Sequence, residues 1–269
     1  MVRADAVSRI GQGKPDFEQI KTICGDPARL IDYMDERNIW RMVLINYVSP
    51  EVMGFTEETN DFSARFAGHR PERFIPFGGI DPRRVKDVAA EMDRLLGDLR
   101  LRGIKIHPPH QLLRANGYLD DPDLRGLATV YEKCIAYNIP VMVHTGTSIF
   151  PRARNKYGDP MDLDDVAMDF PDLKLIVAHG GRPLWMETVR FLLRRHPNLF
   201  FDVSSVPPSR LLNYFPWLEH VADRALFGSD WPAPLVLDIG KNVEQFMQVP
   251  LPDEAKRKIL HDNAQALFA

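Results

Sequence analysis

Four short runs of this sequence stay apolar until their last residue and then present a side chain able to bind a cation or carry a proton. GIKIH ends at His107, VMVH at His144, LIVAH at His179 and LFGSD at Asp230. Neutral imidazole nitrogen and carboxylate oxygen ligate Zn²⁺ and similar ions, and a catalytic site of this kind keeps one position open for water. Such an ion lowers the pKa of its bound water toward ~7, and a nearby carboxylate or imidazole takes the proton. His144 and Asp230 suit ligation; His179 suits either a third ligand position or the acid–base role, and the sequence leaves the two open. The expected site therefore has His144, His179 and Asp230 around a divalent metal, zinc by preference, with His179 and Asp230 as the catalytic pair.

The elements that must carry these residues alternate in type. β-branched runs at Arg41–Asn46, Arg73–Gly79, Gly103–His107, Pro140–Thr145, Lys174–His179, Leu199–Val203 and Ala225–Ser229 read as strands. Between and after them, Asp26–Asn38, Glu57–Ala67, Arg83–Leu99, Leu124–Tyr137, Leu163–Phe170, Trp185–Arg195, Arg210–His220 and Asp253–Phe268 read as helices. Asp26-Pro27 and Asp81-Pro82 each place an N-cap before a proline at the first helical position. Strand–helix alternation implies parallel strands inside and helices outside, as an open sheet or a closed barrel. Active sites in both are built at the C-terminal strand ends, where all four polar residues fall. Period-two alternation puts His144 on the face of Met142, His179 on the face of Leu175 and Val177, and Lys105 with His107 toward the lumen.

At 269 residues the chain fits one α/β barrel domain, 1–269, and 45% apolar residues suffice for a sizeable core. Its 34 basic and 37 acidic residues are spread without a basic stripe, which argues against nucleic acid and for a small-molecule substrate. Cys24 and Cys134 are far apart and read as two buried thiols. No window reaches the ~18 apolar residues of a membrane span, and MVRADAVSRIGQGK lacks the apolar core of a signal peptide, so a cytoplasmic location is expected.

The segments MVHTGTSIFPRARNKYGDP, LIVAHGGRPLW and LFGSDWP resemble the amidohydrolase-related metal-dependent hydrolases of the amidohydrolase superfamily. Within that branch, aminocarboxymuconate-semialdehyde decarboxylase, γ-resorcylate decarboxylase and 4-oxalomesaconate hydratase are similar in architecture. The resemblance runs from Asp26 to the C-terminus and implies a TIM-like (β/α) barrel with a mononuclear metal. It places the family's fifth-strand ligand on His144, its eighth-strand Asp on Asp230 and its sixth-strand His, usually catalytic, on His179. The family normally opens with an apolar strand ending in His-x-His or Glu-x-His. None of the eight histidines here is two residues from another, and the segment before Asp26 reads as polar loop. A barrel lacking its first strand, with seven strands and a reduced metal site, is the expectation. Two unpaired strand edges would then favour a homodimer.

Other residues are expected at the margins of the chemistry. Lys105, His107 and Arg182 are candidate substrate-binding groups, and Arg152 and Arg154 place further guanidinium groups near the mouth, where a carboxylate is gripped bidentately. In His107-Pro-Pro-His110 the prolines are expected to forbid the helix that would put both rings on one face. Asn46 and Ser204–Ser205 sit at strand ends, as pocket lining or caps, and His69, His196, His220 and His261 read as surface. Trp185, Trp217 and Trp231 read as packing residues. The leading function is a metal-dependent hydrolase acting on a small carboxylated or aromatic substrate through metal-activated water. The alternatives are a decarboxylase or hydratase of the same superfamily, or a degenerate barrel that binds without turnover.

Overall fold

The computed structural model of the chain describes residues 2–234 and 236–269. All seven expected strands form, each shorter than its apolar run: β1 Met42–Leu44, β2 Phe74–Gly78, β3 Gly103–Ile106, β4 Val141–His144, β5 Leu175–Ala178, β6 Leu199–Asp202 and β7 Ala225–Leu226. They form one parallel sheet in chain order, curled into an open barrel. Lys105 lies opposite Met142 and His144 opposite Ala178, so the ends of β3, β4 and β5 meet at one rim.

Alternation divides the strand side chains between two cores. Ile104, Ile106, Val141, Val143, Leu175, Val177, Leu199 and Phe201 pack in the cluster shared with the helices. Ile75, Phe77, Met142, Ile176, Ala178 and Leu226 fill the lumen, whose floor is closed by Leu267 and Phe268. The lumen is packed to contact: a Cβ at Gly103 would lie 2.2 Å from the Phe77 ring. Gly103→Ala is expected to cost about 1–3 kcal/mol, as overpacking does, seen as a lower urea midpoint at unchanged slope. A midpoint equal to that of the wild type would show that Phe77 gives way freely.

Three helices precede β1: α1 Ala4–Gly11, α2 Phe17–Gly25 and α3 Pro27–Asp35. The first two correct the reading of that segment as polar loop. Ala6 and Ile10, one helical turn apart, supply a narrow apolar stripe that packs on Val52, Met53, Phe55 and Phe150. So narrow a stripe gives little periodic signal in the sequence. Asp26 caps α3 as expected, accepting from the backbone of Ala28 at 2.9 Å.

After β1 come α4 Glu58–Gly68, α5 Val88–Asp93, α6 Pro108–Gln111, α7 Gly126–Ala136, α8 Asp162–Asp169, α9 Met186–Arg195, α10 Leu211–Tyr214, α11 Ile239–Met247, α12 Asp253–Arg257 and α13 Asn263–Leu267. The helix expected over Arg83–Leu99 is broken. Asp81 caps only a single turn, Pro82–Arg84, and Asp87 caps α5 afresh by accepting from Ala90 at 3.0 Å. The run from Arg210 to His220 is likewise split into α10 and a separate turn beginning at Leu218.

Where an eighth strand would stand between β7 and β1, helices close the outer layer. Tyr33 of α3 donates to Asp238, the cap of α11, at 3.2 Å, Arg37 pairs with the same carboxylate at 2.9 Å, and Tyr33 stacks on Trp231 with centroids 4.9 Å apart. No helix among the described residues is long and apolar enough to cross a membrane.

Candidate active site at the strand ends

The β3, β4 and β5 ends bring four imidazoles together. His107 follows β3, and the turn α6 begins directly after it, with prolines at its first two positions. Those positions need no N–H partner, so the prolines admit the turn instead of forbidding it, which corrects the expectation for this motif. The turn lays His110 on His107, with ring centroids 3.6 Å apart and planes 12° apart, and His107 in turn stacks on His144 at 3.8 Å and 14°. His110 is fixed from both sides, by Tyr47 Oη at 2.9 Å and Ser148 Oγ at 2.7 Å. Burial pushes all three rings down, His110 to about 3, and their neutral forms stack without repulsion. Both ring nitrogens of His144, and Nδ1 of His107, are buried without a protein partner.

His179 reaches this group by a route that alternation does not give. Leu175 and Val177 face the helices, so a continued strand would carry His179 the same way. Instead His179 takes φ 66°, in the left-handed region, and turns to the mouth, where its ring meets His144 edge-on at 4.7 Å. Its Nδ1 lies 2.7 Å from Ser204 Oγ. The Ser204 hydroxyl donates to the Asp202 carboxylate, which can only accept, so the network assigns the proton to His179 Nδ1. That leaves Nε2 with its lone pair. Burial, and then Lys105 and Arg182, hold this imidazole neutral by lowering its pKa.

Asp230 also has a left-handed backbone, φ 62°, which Asp tolerates. Its side chain is solvent-accessible toward the open mouth yet densely surrounded by protein, and the second condition governs its titration. Burial raises its pKa, opposed by the Ser205 hydroxyl and by Lys105 and Arg182. Lys105 does face the lumen, 3% exposed, and burial depresses its amine to about 8 against the pull of Asp202 and Asp230. Arg182 donates to Thr147 O at 2.9 Å, while its Nε is buried and unpartnered. The loop after β4 holds it closely: a Cβ on Gly146, φ 91°, would lie 2.1 Å from Arg182 O.

Sequence reasoning missed Asp202 and Tyr47. The first was legible, since alternation in LFFDV turns Asp202 inward with Phe200 while Leu199 and Phe201 join the outer core. Tyr47, tilted 33° against the His107 ring with centroids 4.9 Å apart, lies beyond β1 and carries no such signal. His196 was expected at the surface; it is 6% exposed and bonded to Asp164 at 2.6 Å. Arg152 and Arg154 line a rim cavity of about 410 Å³ with Glu51, Val52 and Leu112, outside the imidazole group.

His144 presents two buried ring nitrogens without a protein partner, and Asp230 a carboxylate bonded by Ser205. No group of three or more His, Cys, Asp or Glu side chains among the described residues is placed to hold a metal ion. Hard divalent ions bound by few protein groups complete their shells with water and substrate oxygens.

Known proteins resemble this chain in sequence and fold. The chain is 22% identical over 290 residues to a 2-amino-3-carboxymuconate-6-semialdehyde decarboxylase of Dictyostelium discoideum, covering 92% of this chain and 78% of that one. A TIM-barrel protein from Bordetella bronchiseptica superposes with a TM-score of 0.76 at 27% identity, over 97% of this chain and 87% of its own. A dihydroxybenzoic acid decarboxylase from Polaromonas sp. JS666, solved with manganese and 2-nitroresorcinol, superposes with a TM-score of 0.68 at 18% identity, over 99% and 93%. The family model described as amidohydrolase matches residues 29–269. Because that match takes in every strand and every site residue named above, the chain belongs to the amidohydrolase family.

Proposed function

We propose that the chain is a metal-dependent decarboxylase of a small aromatic carboxylic acid. Hydrolysis by a metal-activated water, the leading expectation from residue types, gives way to its alternative because the named relatives are decarboxylases. The observation that carries the reading is a pair of cations, Lys105, which is buried, and Arg182, which is half-buried with a buried, unspent Nε. A guanidinium nitrogen buried without a partner is costly until an anion meets it. A substrate carboxylate meets it bidentately, whereas a neutral ester or lactone leaves it unpaired.

Arg182, braced against Thr147, would orient the carboxylate. Decarboxylation breaks the bond between that carboxylate and the ring, CO₂ departs, and the ring carbon keeps the electron pair and takes a proton. His179 and Asp230 are the acid–base groups facing this space and would carry that proton. A divalent ion held by His144 and Asp230 would supply Lewis-acid polarisation of an oxygen beside the carboxylate.

Incubation with a panel of hydroxybenzoates and Mn²⁺ is expected to release CO₂. Dialysis against a chelator should abolish the release and Mn²⁺ restore it, with Zn²⁺ compared in the same restoration. Hydrolysis of esters or lactones without CO₂ release would return the function to a hydrolase. No turnover of either kind would leave a ligand-binding barrel.

A further inference from the structure

The arm before β1 contributes a residue to the site from outside the barrel. Lys14 lies in the turn between α1 and α2, is 6% exposed, and donates from Nζ to three carbonyls: Ile10 O at 2.7 Å, Pro232 O at 3.0 Å and Ala233 O at 2.7 Å. An ammonium has three donors, so all of them are used. Two are used on a segment more than two hundred residues away, and none on a carboxylate.

That segment is the turn that aims Asp230. Ala233 N donates to Asp230 O at 2.6 Å and Trp231 N donates to Ser229 Oγ at 3.1 Å, so residues 229–233 fold back on themselves. Lys14 grips the far limb of this turn while Ser205 holds the Asp230 carboxylate on the near side. Lys14 is itself anchored. Its backbone N–H donates to Gly11 O at 3.1 Å, Arg3 N donates to Met53 O at 2.9 Å, and Ala6 is buried against Val52 and Met53. Buried lysines are rare because desolvating the ammonium costs several kcal/mol, so one placed here against backbone oxygen answers a geometric need.

We propose that Lys14 is a positioning residue that fixes the 229–233 turn and, through it, the direction of the Asp230 carboxylate. The effect on turnover rests on the decarboxylase reading above; the effect on the turn does not. Lys14→Met keeps the length and removes the three donors, and Lys14→Arg keeps a charged donor. Hydrogen exchange on the whole chain is expected to show residues 229–234 exchanging at least about 10-fold faster in Lys14→Met, with 141–147 and 175–178 unchanged. The kcat for CO₂ release should fall roughly 10–100-fold, as misplacement of a reacting group does, with KM within about 3-fold and partial recovery in Lys14→Arg. Unchanged exchange at 229–234, or equal acceleration throughout the chain, overturns the proposal. Faster exchange at the turn with unchanged kcat overturns the positioning role and leaves the decarboxylase standing. Absence of CO₂ release by the wild type overturns the decarboxylase, and the exchange result alone then decides whether Lys14 holds the turn.

Discussion

Asp230→Asn is expected to lower turnover by about 10²–10⁴-fold, the usual worth of general acid–base catalysis. The amide keeps the side chain's shape and one oxygen that can face a cation, but it cannot give or take the proton that decarboxylation requires. The melting temperature should hold or rise slightly. In the metal-free chain burial raises the folded-state pKa of this carboxyl, so its contribution to stability is present at low pH and lost as pH rises through that value; at neutral pH the ionised group is a cost, and Asn removes it. Activity and stability thus move in different directions, which separates a reacting group from a structural one. An Asp230→Asn protein that releases CO₂ within a few-fold of the wild-type rate would remove Asp230 from the centre of the mechanism.

The strands were legible because their apolar runs are short, β-branched and bounded by turn residues, and His107, His144 and His179 at their ends lie ring to ring. His144 follows directly from alternation with Met142, as do Lys105 and His107 with their outward neighbours Ile104 and Ile106. His179 does not follow. Its placement depends on a left-handed backbone at the strand end, and period-two reasoning stops where the strand does. The Pro-Pro turn was misjudged for a related reason: proline excludes helix interiors but suits first turns, and position within the element decides which applies.

The arm ahead of α3 was illegible for a reason of scale. Two short helices joined by residues 12–16 carry one buried apolar residue each, too few to raise a 3.6-residue period above noise. Their fixed position comes from contacts with loops far along the chain, and such contacts leave no local pattern. Asp202 is the opposite case, written in the alternation of LFFDV and overlooked because it ends a strand without a histidine beside it.

Lys105→Met should separate function from folding most sharply. The amine is held at about 8 in the folded chain against an ordinary value of 10.5, chiefly by burial. A base whose folded pKa is depressed stabilises the fold above its unfolded value and loses that stability as pH falls through the folded value. Below pH ~8 the buried ammonium therefore costs on the order of 3 kcal/mol, at about 1.4 kcal/mol per pH unit. Methionine has similar length and fills the lumen beside Met142 without that charge, so the melting temperature at pH 7 should rise, and the gain should shrink as pH approaches 10. Turnover should fall by at least about 10²-fold, because the cation facing Asp202 and Asp230 is gone and a bound carboxylate meets one positive group instead of two. If Lys105→Met were as active as the wild type, the lysine would be a packing residue and the substrate's charge would rest on Arg182 alone. If it were both inactive and less stable, the buried ammonium would be a stabilising partner of Asp202 and not a cost to the fold.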